Sequence, residues 1–317
     1  MPVLKSTFRS KIPGHLTTIL PSLFRKVSYQ EPRIETIATP DNDFLELDWY
    51  DSDKSEDLVI ISHGLEGNTR RAYIRGMTRH LHQDGYHVLA WNYRSCGTKI
   101  NNALRFYHSG DTEDIGNIID HCIRLQKYRS IVLVGFSMGG NVSLKYLGEQ
   151  AKNLDPIVRG CVAISAPIDL VGSSRILGQW QNKIYMKRFI RSLHKKVLAK
   201  SKHYPDQLSA EGYSQVKNFE DFDNRYTAPI HHFRDALDYW TKSSSLPYLE
   251  KIEVPTLILN ALDDSFLSAS CYPYDLAQSS KNIFLETPRS GGHVGFFSLD
   301  ETYYTERRTL EFIKKLH

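Results

Sequence analysis

The sequence predicts an α/β fold in which a mostly parallel central sheet is flanked by helices. Strand-like and helix-like segments alternate along most of the 317 residues, which is typical of strands joined by crossover helices. Most strand-like runs, such as residues 58–61, are short and apolar throughout, as expected of strands covered on both faces. Residues 44–50 instead alternate in polarity, which predicts an early antiparallel strand.

The predicted elements follow one another in a regular order along the chain. The predicted strands are residues 44–50, 58–61, 86–91, 130–134, 161–165, 255–259 and 283–285. The predicted helices are residues 73–81, 111–125, 138–147 and 305–316. The helix over residues 111–125 has isoleucines at helical intervals, and we expect Asp111 or Thr112 to cap its first turn.

Composition excludes several classes of protein. A hydrophobic fraction of 41% supports a sizeable core, and a net charge of +4 is too small to indicate a nucleic-acid partner. The longest apolar runs are strand-sized, so we expect no stable insertion into a membrane. The basic N-terminal residues Lys5, Arg9 and Lys11 are not followed by the continuous apolar segment of a signal peptide, because Pro13 and Gly14 interrupt the stretch.

The four cysteines indicate the compartment. They are scattered along the chain without a C-x-x-C pair, and several lie in or beside apolar runs: Cys96, Cys122, Cys161 and Cys271. Buried free thiols have this distribution. The simplest interpretation is a cytoplasmic protein with reduced thiols.

The segment from residue 172 to residue 246 interrupts the alternation. It contains no buried-type strand, and its charge is polarised, with nine lysines or arginines and no acid over residues 172–205. Ile184, Phe189, Leu193 and Val197 are spaced as an apolar stripe on a basic helix. We predict a helical cap here, inserted into a core of residues 1–171 and 247–317 with an N-terminal extension over residues 1–40. We favour a solvated basic face for this helix; the alternative is weak contact with an anionic membrane surface.

The residues Gly135-Phe136-Ser137-Met138-Gly139-Gly140 carry the strongest functional signal. They lie between a predicted strand and a predicted helix, which is the setting of the G-x-S-x-G nucleophile elbow. Small residues must flank the serine because its backbone is strained and a Cβ would crowd the turn. Ser137 is therefore the candidate nucleophile. The alternative is an idle serine in a glycine-rich turn.

A serine nucleophile needs a base that is held by an acid, and in elbow folds the chain order is serine, acid, histidine. Asp263 and Asp264 follow the predicted strand over residues 255–259, and His293 lies in a glycine-rich loop after the last strand. We prefer Asp264 as the acid because Ser265-Phe266 follows it in a turn-like context, and Asp263 is the alternative. His121, His231 and His232 are expected to be structural or surface histidines.

An oxyanion hole needs two backbone donors. One is expected to be the N–H of Met138, directly after the nucleophile. The other is assigned to Leu65 N–H, because residues 60–67 read as a strand followed by His63-Gly64 and the donor position. We expect His63 to orient this loop. A metal site at His63 and Glu66 lacks a second cluster of ligands, so we expect neither a metal nor a cofactor.

With these residues the chain resembles the α/β-hydrolase superfamily and, more narrowly, its YheT-like branch, which includes yeast medium-chain ester synthases and esterases. The shared segments include residues 14–19, 39–41, 63–67, 73–77, 107–110, 135–141, 260–264 and 291–295. The resemblance implies an α/β-hydrolase fold and carboxylic-ester hydrolysis or alcohol acylation through Ser137, Asp264 and His293. One departure is Arg94-Ser95-Cys96-Gly97, where the family usually has Arg-Gly, and it affects the loop beside the expected acyl pocket.

We therefore expect a serine esterase that acts on short- to medium-chain acyl esters of small molecules. The cap aromatics Trp180, Tyr185, Phe189, Phe233, Tyr239 and Trp240 suggest an apolar acyl pocket, although several can belong to the cap core. An acyltransferase or ester synthase with the same triad is the first alternative, and a non-catalytic binding protein on a hydrolase fold is the second. Haloalkane and epoxide chemistry need a carboxylate nucleophile, which Ser137 argues against. The residues Tyr107-His108-Ser109-Gly110 are expected to structure a loop, with substrate contact as the alternative.

Overall fold

The computed structural model of the chain describes residues 3–8, 12 and 14–316. Of the N-terminal residues that entered the signal-peptide argument, Arg9, Lys11 and Pro13 lie outside these described residues. No helix among the described residues has the length and apolar character that crossing a membrane requires.

One twisted sheet of nine strands organises the described part of the chain, in the order β1-β9-β8-β7-β6-β4-β5-β3-β2. All neighbours pair in parallel except β2 with β3 and β3 with β5. The strands are β1 Val3–Leu4, β2 Arg33–Ala38, β3 Phe44–Tyr50, β4 Asp57–Ser62, β5 His87–Asn92, β6 Ser130–Phe136, β7 Val158–Ile164, β8 Thr256–Leu259 and β9 Ile283–Glu286.

The helices connect these strands and cover both faces of the sheet. They are α1 Gly14–Phe24, α2 Ala72–Gln83, α3 Glu113–Arg124, α4 Met138–Gln150, α5 Leu170–Leu177, α6 Lys183–Ser201, α7 Phe219–Phe222, α8 Ala228–Ile230, α9 Ala236–Ser243, α10 Tyr274–Ser279 and α11 Tyr304–Ile313. Every residue of β4, β5 and β6 is buried, which explains why these strands are continuously apolar rather than alternating.

The α/β prediction is confirmed. The antiparallel strand expected over residues 44–50 is β3, with the same bounds. Thr112 occupies the N-cap position of α3, as expected, but its side chain makes no capping hydrogen bond. Its hydroxyl donates instead to Glu149 at 2.6 Å. The sequence patterns did not indicate β1, α1 or β2; β1 pairs with the distant β9, whereas β2 forms a hairpin with β3, the next strand along the chain.

Helices α5 to α9 lie between β7 and β8 and bury an apolar cluster of their own. The stripe predicted for the basic helix is wrong at Ile184, which is 78% exposed. The buried side of α6 instead carries Met186, Ile190, Leu193 and Val197. A separate cap over residues 172–246 stays a prediction.

Candidate active site

Ser137 occupies the sharp turn between β6 and α4. Its φ of 52° and ψ of −119° are strained for a residue with a side chain, and its N–H donates to the Ile164 carbonyl at 2.8 Å. A Cβ on Gly135 would lie 2.3 Å from the Gly139 carbonyl oxygen, and one on Gly139 would lie 2.5 Å from the Ser62 carbonyl oxygen. Both neighbours are backbone, so only glycine allows this turn.

His293 and Asp264 form a hydrogen-bonded chain with Ser137. The Nε2 atom of His293 lies 2.8 Å from Ser137 Oγ, and Nδ1 lies 2.9 Å from Asp264 Oδ2. An ionised carboxylate only accepts hydrogen bonds, so Nδ1 carries the proton and the Nε2 lone pair faces the serine hydroxyl. This tautomer allows the imidazole to take the serine proton.

The two adjacent acids have different partners. Asp264 is buried, and its Oδ1 also accepts the Phe266 N–H at 2.9 Å. Asp263 Oδ1 accepts the Gly292 N–H at 2.8 Å and does not contact the imidazole. The acid nearest His293 is therefore the one preferred from the sequence, and Asp263 holds the loop that precedes the histidine.

Three further residues hold His293 in place. Thr18 Oγ1 of α1 accepts its backbone N–H at 2.8 Å, and Ser165 Oγ accepts the N–H of the next residue, Val294, at 2.9 Å. The ring of Phe266 stacks on the imidazole with centroids 4.2 Å apart. Sequence reasoning missed these roles; the only signal for Thr18 was that residues 14–19 belong to the segments shared with the resembled family.

The loop after β4 brings Leu65, the first candidate oxyanion donor, to the wall of the cavity that contains Ser137. His63 is buried, donates from Nδ1 to the Gly64 carbonyl at 2.7 Å and accepts the Tyr93 N–H on Nε2 at 3.3 Å. Burial lowers the pKa of His63 to about 3, so the ring is neutral. In a planar trans peptide the Leu65 N–H points opposite to the Gly64 carbonyl, away from the His63 ring.

The Met138 N–H is the second candidate donor. It begins α4 and therefore has no intrahelical acceptor. Gly64 lies close to the nucleophile, because a Cβ on it would be 3.1 Å from Ser137 Cβ. The two predicted donors thus flank the serine.

A buried ionic cluster joins the loop after Leu65 to α6. Glu66, at a positive φ of 54°, accepts from Lys196 Nζ at 2.7 Å, from Tyr107 at 2.7 Å and from Ser192. Burial alone would raise the pKa of Glu66. The charge of Lys196 and these hydrogen bonds have a larger effect in the opposite direction, so the pKa lies below its usual value.

The remaining residues of the Tyr107-His108-Ser109-Gly110 segment contact α4 and α9. The Tyr239 hydroxyl accepts the Ser109 N–H at 2.9 Å, and Asn141 donates to the Ser109 carbonyl at 2.7 Å. A Cβ on Gly110 would collide with Ser243. The segment therefore structures this region, and Tyr107, His108 and Ser109 also border the cavity at Ser137.

The cavity at Ser137 has a volume of about 100 Å³ and opens to solvent. Its wall is mostly apolar and includes Leu65, Met138, Leu177, Phe189, Leu193, Phe219, Phe222, Tyr239, Trp240 and Phe266. Of the six cap aromatics expected to form an acyl pocket, Phe189, Tyr239 and Trp240 line this cavity. Trp180 is 86% exposed, and Tyr185 and Phe233 contact other side chains, His15 and His108.

One acidic side chain lines the mostly apolar wall. Asp223, in a π-helical turn over Asp223–Thr227, accepts from Trp240 Nε1 at 2.8 Å and from Thr227 Oγ1 at 2.6 Å. Burial raises the pKa of Asp223 to about 7. The carboxyl group therefore changes charge near neutral pH.

A family model described as the alpha/beta hydrolase fold matches residues 57–298. This range includes the elbow, both acids and His293. The chain belongs to the α/β-hydrolase family.

Curated relatives and solved structures resemble this α/β-hydrolase over most of its length. It is 30% identical to the candidate esterase YheT of Escherichia coli (strain K12), over 89% of this chain and 84% of YheT. It is 25% identical to the human phospholipase ABHD3, over 99% of this chain and 80% of that protein. An esterase of Pyrococcus furiosus superposes with a TM-score of 0.61 at 20% identity, covering 99% of both chains, which is a likeness of fold.

The loop in which this α/β-hydrolase departs from the resembled family lies away from the cavity. Ser95 takes a positive φ of 60°, and none of residues 94–97 belongs to the cavity wall among the described residues. Arg94 is buried and pairs with Asp41, Asp43 and Asp114. All four cysteines are buried and free of disulfides, whereas the cytoplasmic location stays a prediction.

Proposed function

We propose that the chain is a serine hydrolase that cleaves carboxylic esters through an acyl-enzyme, with Ser137 as nucleophile, His293 as base and Asp264 as the acid that orients it. The carrying observation is the hydrogen-bonded chain from Ser137 Oγ to His293 Nε2, at 2.8 Å, and from His293 Nδ1 to Asp264, at 2.9 Å. The names of the relatives, a candidate esterase and a phospholipase, support the same class of reaction.

The proposed reaction has two steps. His293 takes the hydroxyl proton as Ser137 Oγ attacks the ester carbonyl, and the N–H groups of Leu65 and Met138 donate to the oxyanion. The alcohol leaves with the proton from His293. Water then attacks the acyl-enzyme by the same route, which releases the acid and restores Ser137.

The cavity supports a short- to medium-chain acyl group as the substrate. Its volume of about 100 Å³ lies below the range of about 300–1,000 Å³ that is usual for drug-sized ligands, which argues against a long acyl chain. Its apolar wall beside Ser137 favours a hydrocarbon chain rather than a charged one. A series of p-nitrophenyl esters of increasing acyl length should therefore give a maximum in kcat/KM at a short to medium length and a decline for long chains.

Labelling with a fluorophosphonate probe tests the nucleophile directly. The wild type should be labelled, and the Ser137→Ala variant should not. A folded wild type that resists the probe, or equal labelling of both proteins, would sink the proposal and favour a binding protein on a hydrolase fold. Folding of each protein is checked by circular dichroism.

A further inference from the structure

The solvent side of α6 carries a cationic stripe. At 100° per residue, six of its exposed side chains fall within an arc of about 100°. We call this stripe the outer face, and it consists of Ile184, Lys187, Arg188, Arg191, Lys195 and Leu198. The buried side chains Met186, Ile190, Leu193 and Val197 lie on the opposite side of the helix.

The four cations of the outer face have no acidic partner among the described residues, whereas Lys196 on the same helix is paired with Glu66. Lys187, Arg191 and Lys195 follow one another at a spacing of four residues, at which like charges repel. A solvated helix face normally carries both positive and negative side chains. An anionic partner would relieve this repulsion.

Apolar side chains stand in water beside these cations. Trp180, in the turn just before α6, is 86% exposed, and Ile184 is 78% exposed. Helix α1 lies next to this region because His15 stacks on Tyr185 with centroids 5.9 Å apart, and α1 adds Leu16, which is 47% exposed. Cations combined with exposed tryptophan and aliphatic side chains on one helix are typical of a surface that lies in a lipid interface.

The other side of the same helix reaches the candidate active site. Phe189 and Leu193 of α6 line the cavity that contains Ser137. A surface in contact with the outer face would therefore lie one helix away from the site of acyl transfer.

We propose that the outer face of α6, together with Trp180, docks on the surface of a lipid bilayer that contains anionic lipid. The charge of the face and its exposed apolar side chains match the two components of such a surface. A second copy of the chain fits poorly, because a two-fold contact would place four cations against four cations.

Co-sedimentation with vesicles tests this docking, with the Ser137→Ala chain so that no substrate is consumed. We expect binding to phosphatidylcholine vesicles that contain phosphatidylserine, weaker binding to phosphatidylcholine alone, and a decline as salt rises. Each cation lost should reduce the partition constant by about fivefold at low salt. The variant Lys187→Glu/Arg191→Glu/Lys195→Glu should therefore bind at least about a hundredfold more weakly at low salt.

A matched control reverses three exposed cations near the amino ends of β7 and β9: Lys152, Arg159 and Lys281. This variant has the same net charge as the α6 variant and should bind vesicles as the parent does. Trp180→Ser should weaken binding several-fold without changing the salt dependence. Circular dichroism checks that each variant is folded.

Four outcomes would overturn the docking proposal: no vesicle binding at low salt, equal loss in the matched control, tighter binding to a DNA duplex than to vesicles, or a dimer in solution that the α6 variant abolishes. None of them depends on catalysis, so the proposed hydrolase function and this docking surface fail separately.

Discussion

Lys196 of α6 is ion-paired with Glu66, the residue directly after Leu65 of the candidate oxyanion hole, at 2.7 Å between Nζ and Oε1. Both side chains are largely buried. The same lysine lies 4.8 Å from the centre of the Tyr107 ring. The loop that contains Leu65 is thus fixed to α6, which contributes Phe189 and Leu193 to the cavity wall.

Removing one partner of this pair should be strongly destabilising. Lys196→Met leaves a buried, uncompensated carboxylate and should lower the free energy of unfolding by about 3–5 kcal/mol. Adding Glu66→Gln should recover much of that loss, since it removes the unpaired charge. Urea denaturation of both single variants and the double variant measures the coupling. If the changes in the free energy of unfolding of the two single variants simply add up in the double variant, the predicted coupling between Lys196 and Glu66 is wrong.

The two adjacent acids should differ in their effect on turnover. Asp264→Asn removes the carboxylate that holds the His293 tautomer, and kcat should fall by about 10⁴-fold. Asp263→Asn keeps an oxygen that can accept the Gly292 N–H, so its loss should be much smaller. Steady-state kinetics with a p-nitrophenyl ester decide between them. A larger loss in the Asp263 variant would reverse the assignment.

His63 should act on the rate through the backbone of its own loop. His63→Ala removes one of two donors to the Gly64 carbonyl, leaving the Gly67 N–H at 2.9 Å, and should displace the Leu65 N–H, with a loss approaching the ~10²–10³-fold in kcat that is typical of one oxyanion donor. His63→Asn retains a donor near the position of Nδ1 and should recover part of the rate, with KM little changed in both variants. His87→Ala, at another buried histidine, is the control, and an equal drop in its kcat would argue for a general loss of stability instead.

Local patterns predicted most of the fold because the central strands are continuously apolar and the helices between them have clear periodicity. The prediction of β3, for example, follows from the alternation of apolar and polar residues from Leu45 to Trp49. Ile184 was misassigned because two overlapping stripes on α6 both have helical spacing. Only the packing of α6 on its neighbours makes Met186 and Ile190 the buried set.

The candidate site was predictable where its residues lie in motifs and not where they act across the chain. Ser137 and His293 lie in glycine-rich turns whose order along the chain indicates their roles. Thr18 contacts the His293 backbone across 275 residues of sequence, and no local pattern reports such a contact. Asp223 lies in an acidic stretch that looks solvated in the sequence, and only the fold buries it.

Asp223 should make the cavity sensitive to pH. Burial raises the pKa of Asp223 in the folded chain to about 7, from a usual value near 3.8. Between pH 3.8 and pH 7 the folded chain therefore keeps the carboxyl proton, whereas the unfolded chain has lost it. Stability from this group is therefore full in acid and declines as pH rises towards and through about 7. Asp223→Asn lacks the titrating group. Its free energy of unfolding, relative to that of the wild type, should therefore rise by up to about 4 kcal/mol as the pH rises from 4 to 8. Urea denaturation of both proteins across this range measures the difference.

The same ionisation should affect the binding of an apolar acyl chain. A charged carboxylate in the cavity wall disfavours hydrocarbon beside it, so KM for a medium-chain p-nitrophenyl ester should rise above pH 7 in the wild type. In Asp223→Asn the KM should stay level over the same range. The acetyl ester is the control, because its short chain leaves most of the cavity empty. A KM that rises equally in both proteins would assign the effect to another group.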